Sequence, residues 1–150
     1  MISENIKAKG LVSFLLVDQF GNIKQEEEQN LVVTTGLSYL ISRAKDATAT
    51  AMSHIAVGTG TTAAATTQTA LVGEVARVAL TSTTQVTTTV TGDAIQYVAT
   101  FPAGSGTAAL TEAGIFNAAS IGTMMARTVF AVINKGALDT LTITWKITIA

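Results

Sequence analysis

The C-terminal stretch DTLTITWKITI alternates almost without a break. Leu141, Ile143, Trp145, Ile147 and Ile149 fall on one side, and Thr140, Thr142, Thr144, Lys146 and Thr148 on the other. A period of two belongs to a strand with one buried face. The β-branched isoleucines and threonines suit its pleated surface, and Trp145 on the apolar side is expected to be a core anchor. In AIQYVATF, Ile95, Tyr97, Ala99 and Phe101 alternate in the same way. Gly10 to Asp18 is apolar and strand-like. Asp18-Gln19-Phe20-Gly21-Asn22 then carries turn chemistry, and a second arm returns through Glu26, Glu27 and Glu28. MSHIAVGTG reads as a short strand ending in a glycine turn, and VGEVARVALTST as another strand. GTMMARTVFAVINKG is apolar enough to lie inside a sheet.

One segment has a different period. In TTGLSYLISRAKD, Leu37, Leu40, Ile41 and Ala44 recur at i, i+3, i+4 and i+7. This predicts a short α-helix near residues 35–45 with a single apolar stripe. Thr34 or Thr35 is placed to cap its start, and Arg43 and Lys45 sit where the helix dipole favours cations. TTAAATTQTA has no periodic face. It is expected to be a loop near 59–70, a surface tether open to protease in the free chain and ordered against a neighbour. Residues 1–9 are expected to form a flexible N-terminal arm. Many short strands between frequent turns predict a mainly β, single-domain chain over 1–150, a jelly-roll-like β-sandwich with one short helix.

Composition narrows the function. Of the 150 residues, 13% are charged against a usual figure of roughly 25%, and the formal net charge is -1. Such a surface offers little field to attract nucleic acid or an anionic membrane and weak protection against self-association. The expectation is a subunit that buries surface against neighbours. The chain has no cysteine, which excludes disulfides and zinc–thiolate sites. No apolar run approaches the roughly 20 residues of a membrane span. No signal segment is evident at the start, so synthesis in the cytoplasm is expected.

Candidate chemistry is sparse. Gly58-Thr59-Gly60 opens like a phosphate-cradling loop, but the third glycine of a dinucleotide fingerprint is missing. No lysine lies between His54 and Arg77 to complete a P-loop. The spacing predicts a turn. His54 is the sole histidine, and Ser53 beside it faces the other way if both lie on a strand. Glu26, Glu27 and Glu28 alternate in direction and make a poor metal cage. Glu74 and Arg77 lie three apart in GEVARVA, on opposite sides of a regular strand, so each is expected to pair elsewhere. Glu112 in LTEAGIFNA and Arg127 in MMARTVF are charges inside apolar segments and need partners. Structural pairing is expected, Glu112 with Arg127 or Glu74 with an arginine. A polysaccharide hydrolase would need two carboxylates across a cleft; Glu74 and Glu112 could be assigned, but nothing in the sequence supports a sugar cleft. No catalytic residue, cofactor or metal is expected.

The ordered blocks NLVVTTGLSYLISRA, HIAVGTGTTAAATTQTAL, EVAR, EAGIFNAA, GTMMARTVF and INKGALDTLTITWKITI carry a resemblance. From about Asn30 to the end, the chain resembles small structural proteins encoded in tailed-bacteriophage virion gene clusters. The resemblance implies a packing role in the virion and offers no catalytic residues. It implies a capsid cement (decoration) protein with a sandwich or jelly-roll fold that binds the major capsid protein and copies of itself, including as a dimer. The alternative it implies is a tail-fibre, collar or baseplate component. EAGIFNA and the C-terminal strand are its fold signatures.

Overall fold

The computed structural model describes residues 5–45 and 50–149. Residues 1–4 of the expected arm lie outside that range, and Ala8 and Lys9 already belong to the first strand. Nine strands occur among the described residues: β1 (Ala8–Val17), β2 (Ile23–Val32), β3 (His54–Gly58), β4 (Glu74–Ala79), β5 (Ser82–Val86), β6 (Ala94–Phe101), β7 (Ala108–Phe116), β8 (Met124–Lys135) and β9 (Thr140–Ile149). One helix, α1 (Thr34–Lys45), follows β2. The protein is therefore mainly β with one short helix.

The strands form a single antiparallel sheet in the order β4-β3-β7-β8-β2-β1-β9-β6-β5. It curls into a half-barrel of two leaves. β2 joins them: it pairs with β1 from Ile23 to Asn30 but with β8 only at Leu31 and Val32. Where β2 and β8 diverge, Phe14 and Phe130 meet with ring centroids 4.3 Å apart. The outermost strands, β4 and β5, are consecutive in sequence, separated only by Leu80 and Thr81. Leu80 N donates to Ser53 O and Thr81 N to Val98 O, which ties the two ends of the sheet at one corner.

The core lies inside the curl. Cross-strand register builds it in rows: Val12, Trp145 and Tyr97 in one, Phe14, Ile143 and Ala99 in the next, then Leu16, Leu141 and Phe101. Ile55, Val57, Leu110, Ile115 and Ile133 face them from the other leaf. Trp145 is fully buried, and its indole N–H donates to Asn30 Oδ1 at 3.0 Å. Gly10 leaves room for that asparagine, since a Cβ there would overlap its side chain.

α1 departs from expectation. Its buried residues are Gly36 and Tyr39. Of the expected stripe, Leu37 is 51% exposed and Ile41 72% exposed, Ala44 is exposed, and only Leu40 is half-buried. The helix rests on β8 through its smallest residue: a Cβ on Gly36 would lie 2.0 Å from the Met125 carbonyl oxygen. Thr35, considered as a cap, instead donates its hydroxyl to Met124 O at 2.8 Å. The contact row is thus rotated away from the most apolar one, which is left in solvent.

Candidate functional site

Glu74, Arg77, Glu112 and Arg127 share the outer face of one leaf. Register places them there: Gly58 lies opposite Glu74 on one side and Glu112 on the other, Ala56 lies opposite Arg77 and Gly114, and Gly114 lies opposite Arg127. The inner face of these strands is filled by Ile55, Val57, Ala113 and Ile115, so charges can only point outwards. The loop from Thr59 to Gly73 then folds over part of this face. Its Leu71 closes a small apolar cluster with Val33, Ala56, Phe116 and Met124.

Beneath the loop, Glu112 and Arg127 form an ion pair at 2.7 Å with both side chains inaccessible to water. Arg127 Nε and Nη2 both donate to Glu112 Oε2. Three backbone amides complete the carboxylate's shell: Gly60 N at 3.0 Å and Gly73 N at 2.6 Å on Oε1, and Val72 N at 3.0 Å on Oε2. Arg127 Nη1 reaches further along the loop, to Thr62 O and Gln68 Oε1, both at 2.9 Å. The glycine spacing thus does cradle an anion, and the anion is the chain's own Glu112. A Cβ on Gly58 or Gly60 would lie 2.6 or 2.5 Å from Glu112 Oε1, so close approach of backbone to carboxylate requires glycine at both positions. Burial pushes the Glu112 carboxyl up. Hydrogen bonds from Gly73, Val72 and Arg127, with the Arg127 charge, outweigh it and hold the group below the ordinary carboxylate range.

The loop is therefore anchored along its length, contrary to its expected role as a loose tether. Thr34 N also donates to Thr66 O at 2.9 Å, and Ala65 N to Gln68 Oε1 at 2.8 Å.

Glu74 and Arg77 pair with each other, which corrects the expectation that each finds a separate partner. Arg77 Nε and Nη2 donate to Glu74 Oε1 and Oε2 at 2.9 and 2.7 Å. The register shifts between Val57 and Gly58, opposite Ala76 and Glu74. This leaves Val75 as an extra residue, and the bulge turns Glu74 to the face that Arg77 occupies. The guanidinium stacks 3.8 Å over the Phe116 ring, and Nη1 donates to Ala118 O and Ile121 O, each at 2.9 Å. Asn117 closes the same turn, accepting from Thr123 N at 2.7 Å. The turn displays Ile121 at 88% exposure with φ of 56°, a left-handed conformation costing a β-branched residue roughly 1–2 kcal/mol. Sequence reasoning passed over Ile121; its signal was the Ile-Gly pair that begins five residues past the end of β7.

Ser53 Oγ lies 2.7 Å from His54 Nδ1, so these neighbours do interact. Ser53 precedes β3, and strand alternation does not bind it. No carboxylate hydrogen-bonds to His54 among the described residues. Lys135, also passed over, is buried and donates to Pro102 O and Asp139 O. Burial lowers its pKa, partly offset by Asp139. Glu26 pairs with Lys24 at 2.8 Å, and Glu27 accepts from Ser13. Among the described residues, no three His, Cys, Asp or Glu side chains converge as a metal set, and no helix is long and apolar enough to cross a membrane.

No family model matches this chain, nor does any curated protein or solved structure.

Proposed function

We propose that this protein is a structural subunit of a virion, acting as a capsid cement protein that bridges and stabilises the major capsid protein shell. The observation that carries this reading is the aliphatic surface on a chain of such low charge. Ile6, Leu37, Ile41, Ile121 and Ile149 are all exposed, while Glu112, Arg127 and Arg77 are engaged by the backbone of the protein's own loops and turns. Exposed apolar residues gathered in patches mark contact surfaces, and a modest contact repeated around a symmetric shell gains through avidity. The resemblance of the ordered sequence blocks to phage virion proteins points the same way. The proposal takes the curled sheet as a jelly-roll-like sandwich, supported by the single core that both leaves share.

The hydrolase alternative has less support. Glu74 and Glu112 flank Gly58 on one face, but each already accepts two hydrogen bonds from its own arginine. Neither is placed to give or take a proton at a sugar.

The test is the protein's location and copy number in purified particles, by imaging and quantitative mass spectrometry. Hundreds of copies on the shell, with heat-labile particles when the protein is absent, are the expected result. A handful of copies at the tail would assign it instead to the tail, collar or baseplate. Absence from particles would overturn the virion reading altogether.

A further inference from the structure

The loop from Thr59 to Gly73 covers the Glu112–Arg127 pair without joining the sheet. It is neither helix nor strand, and only Gly60 and Leu71 along it are buried. Leu71 is its one member of the apolar cluster with Val33, Ala56, Phe116 and Met124. Away from the ion pair the loop is tied at Thr66 O, which accepts from Thr34 N, and at Gly60 O, which accepts from the Thr111 hydroxyl at 3.0 Å. The ties of Gly60 N, Thr62, Gln68, Val72 and Gly73 run through the Glu112 carboxylate and the Arg127 guanidinium. A segment with so little buried apolar surface opens at lower cost than the strands beneath it.

We propose that this loop is a proton-released lid: protonation of Glu112 lifts it and bares Val33, Ala56, Phe116 and Met124, while the sheet stays folded. The hydrogen bonds make the switch sharp. Every group bonded to the carboxylate is a donor: Gly60 N and Gly73 N on Oε1, and Val72 N with Arg127 Nε and Nη2 on Oε2. An ionised carboxylate accepts from them all. Whichever oxygen took a proton, its O–H would face N–H groups, and Arg127 would be left buried without a counter-charge. Turning the carboxyl over only exchanges one set of donors for the other. Lifting the loop takes the amides away and lets water reach the guanidinium. Ile55, Val57, Ala113 and Ile115 pack on the inner face of the same strands, so the core keeps its packing when the lid opens. This inference goes beyond the virion reading and does not depend on it.

Few charges compete with Glu112. The loop carries no titratable residue, and Glu112 is the only one in β7. β8 presents Arg127 to it, and β4 brings the Glu74–Arg77 pair across Gly58. His54 lies at the far end of β3, and the charges of α1, Arg43 and Lys45, are in its last turn, whereas the loop meets its first residue. The carboxyl is held below the ordinary range. The lid is therefore shut at neutral pH and opens as pH falls through that lowered value.

Trp145 is fully buried in the core and reports the sheet separately from the lid. The test is hydrogen exchange of the full chain from neutral pH into acid, read by mass spectrometry and corrected for the intrinsic rate. Peptides from residues 59–73 are expected to lose protection by roughly tenfold or more at a pH where β9 peptides and Trp145 emission are unchanged. Binding of an anilinonaphthalene dye is expected to rise over the same range. Lid and sheet losing protection together would overturn the proposal, as would a lid still protected where the sheet unfolds. Glu74→Gln is expected to open at the parent's pH; a lid that no longer opens in that variant would place the trigger on β4 and overturn the assignment to Glu112. The double variant Glu112→Gln, Arg127→Met keeps neither buried charge. Its 59–73 peptides are expected to be unprotected at neutral pH, with no further change in acid. An acid-dependent opening that survives there overturns the proposal, and the parent's two probes decide the matter if the double variant does not fold.

Discussion

Glu112 is a buried carboxylate with five donors, and removing its charge leaves Arg127 buried without a counter-charge. Breaking such a pair from one side typically costs 3–5 kcal/mol, so Glu112→Gln is expected to lose about 3 kcal/mol or more in urea unfolding. Arg127→Met added to it should recover part of that loss. The pH dependence follows from the lowered carboxyl. The unfolded chain binds its proton at higher pH than the folded one, so the pair's contribution is complete above the ordinary carboxylate range. It is lost as pH falls through the lower folded value. Stability measured from neutral into acid should therefore drop less steeply in Glu112→Gln than in the parent. Trp145→Ala removes a fully buried indole and is expected to cost roughly 3–5 kcal/mol; the parent's emission should be that of a tryptophan shielded from water. These residues were legible because a charge in an apolar strand must find a partner and a tryptophan on an apolar face must be covered. The Glu74–Arg77 pair was not, because it depends on a single extra residue at Val75, and nothing in GEVARVA announces that bulge.

At the scale of elements, alternation located β6 and β9 well, since both pair on two sides and bury one face. The helix was found but its orientation was not. Hydrophobicity selected the Leu37–Ile41 row, whereas contact distance selected Gly36. Gly36→Ala tests this. In a free helix, alanine would gain about 1 kcal/mol over glycine. Here its Cβ meets the β8 backbone, and the expected outcome is a net loss of roughly 1–3 kcal/mol, read by thermal unfolding. The 59–73 loop looked loose because its composition is poor in anchoring side chains. Apart from Gln68, its anchors are backbone groups, reached by Glu112 and Arg127 from strands about 40 to 65 residues further along the chain. Limited proteolysis should leave Ala63 to Thr67 uncut in the parent and cut it readily in Glu112→Gln.

For the whole molecule, sequence pattern reached the class, mainly β with one helix, and stopped short of the strand order. Neighbours in the sheet such as β1 and β9, or β2 and β8, lie about 100 residues apart or more, and no local signal encodes such pairings. Leu80 and Thr81 span the gap between the first and last strands of the sheet. A sheet with two free margins can peel strand by strand from either one. Here, lifting β5 away drags on β4 at the far margin, so neither has an independent route off. Heating should accordingly melt both leaves in one step, with tryptophan emission and far-ultraviolet circular dichroism tracing a single curve. Mechanically, that two-residue strap makes the molecule a closed buckle, which bears tension on one leaf with both.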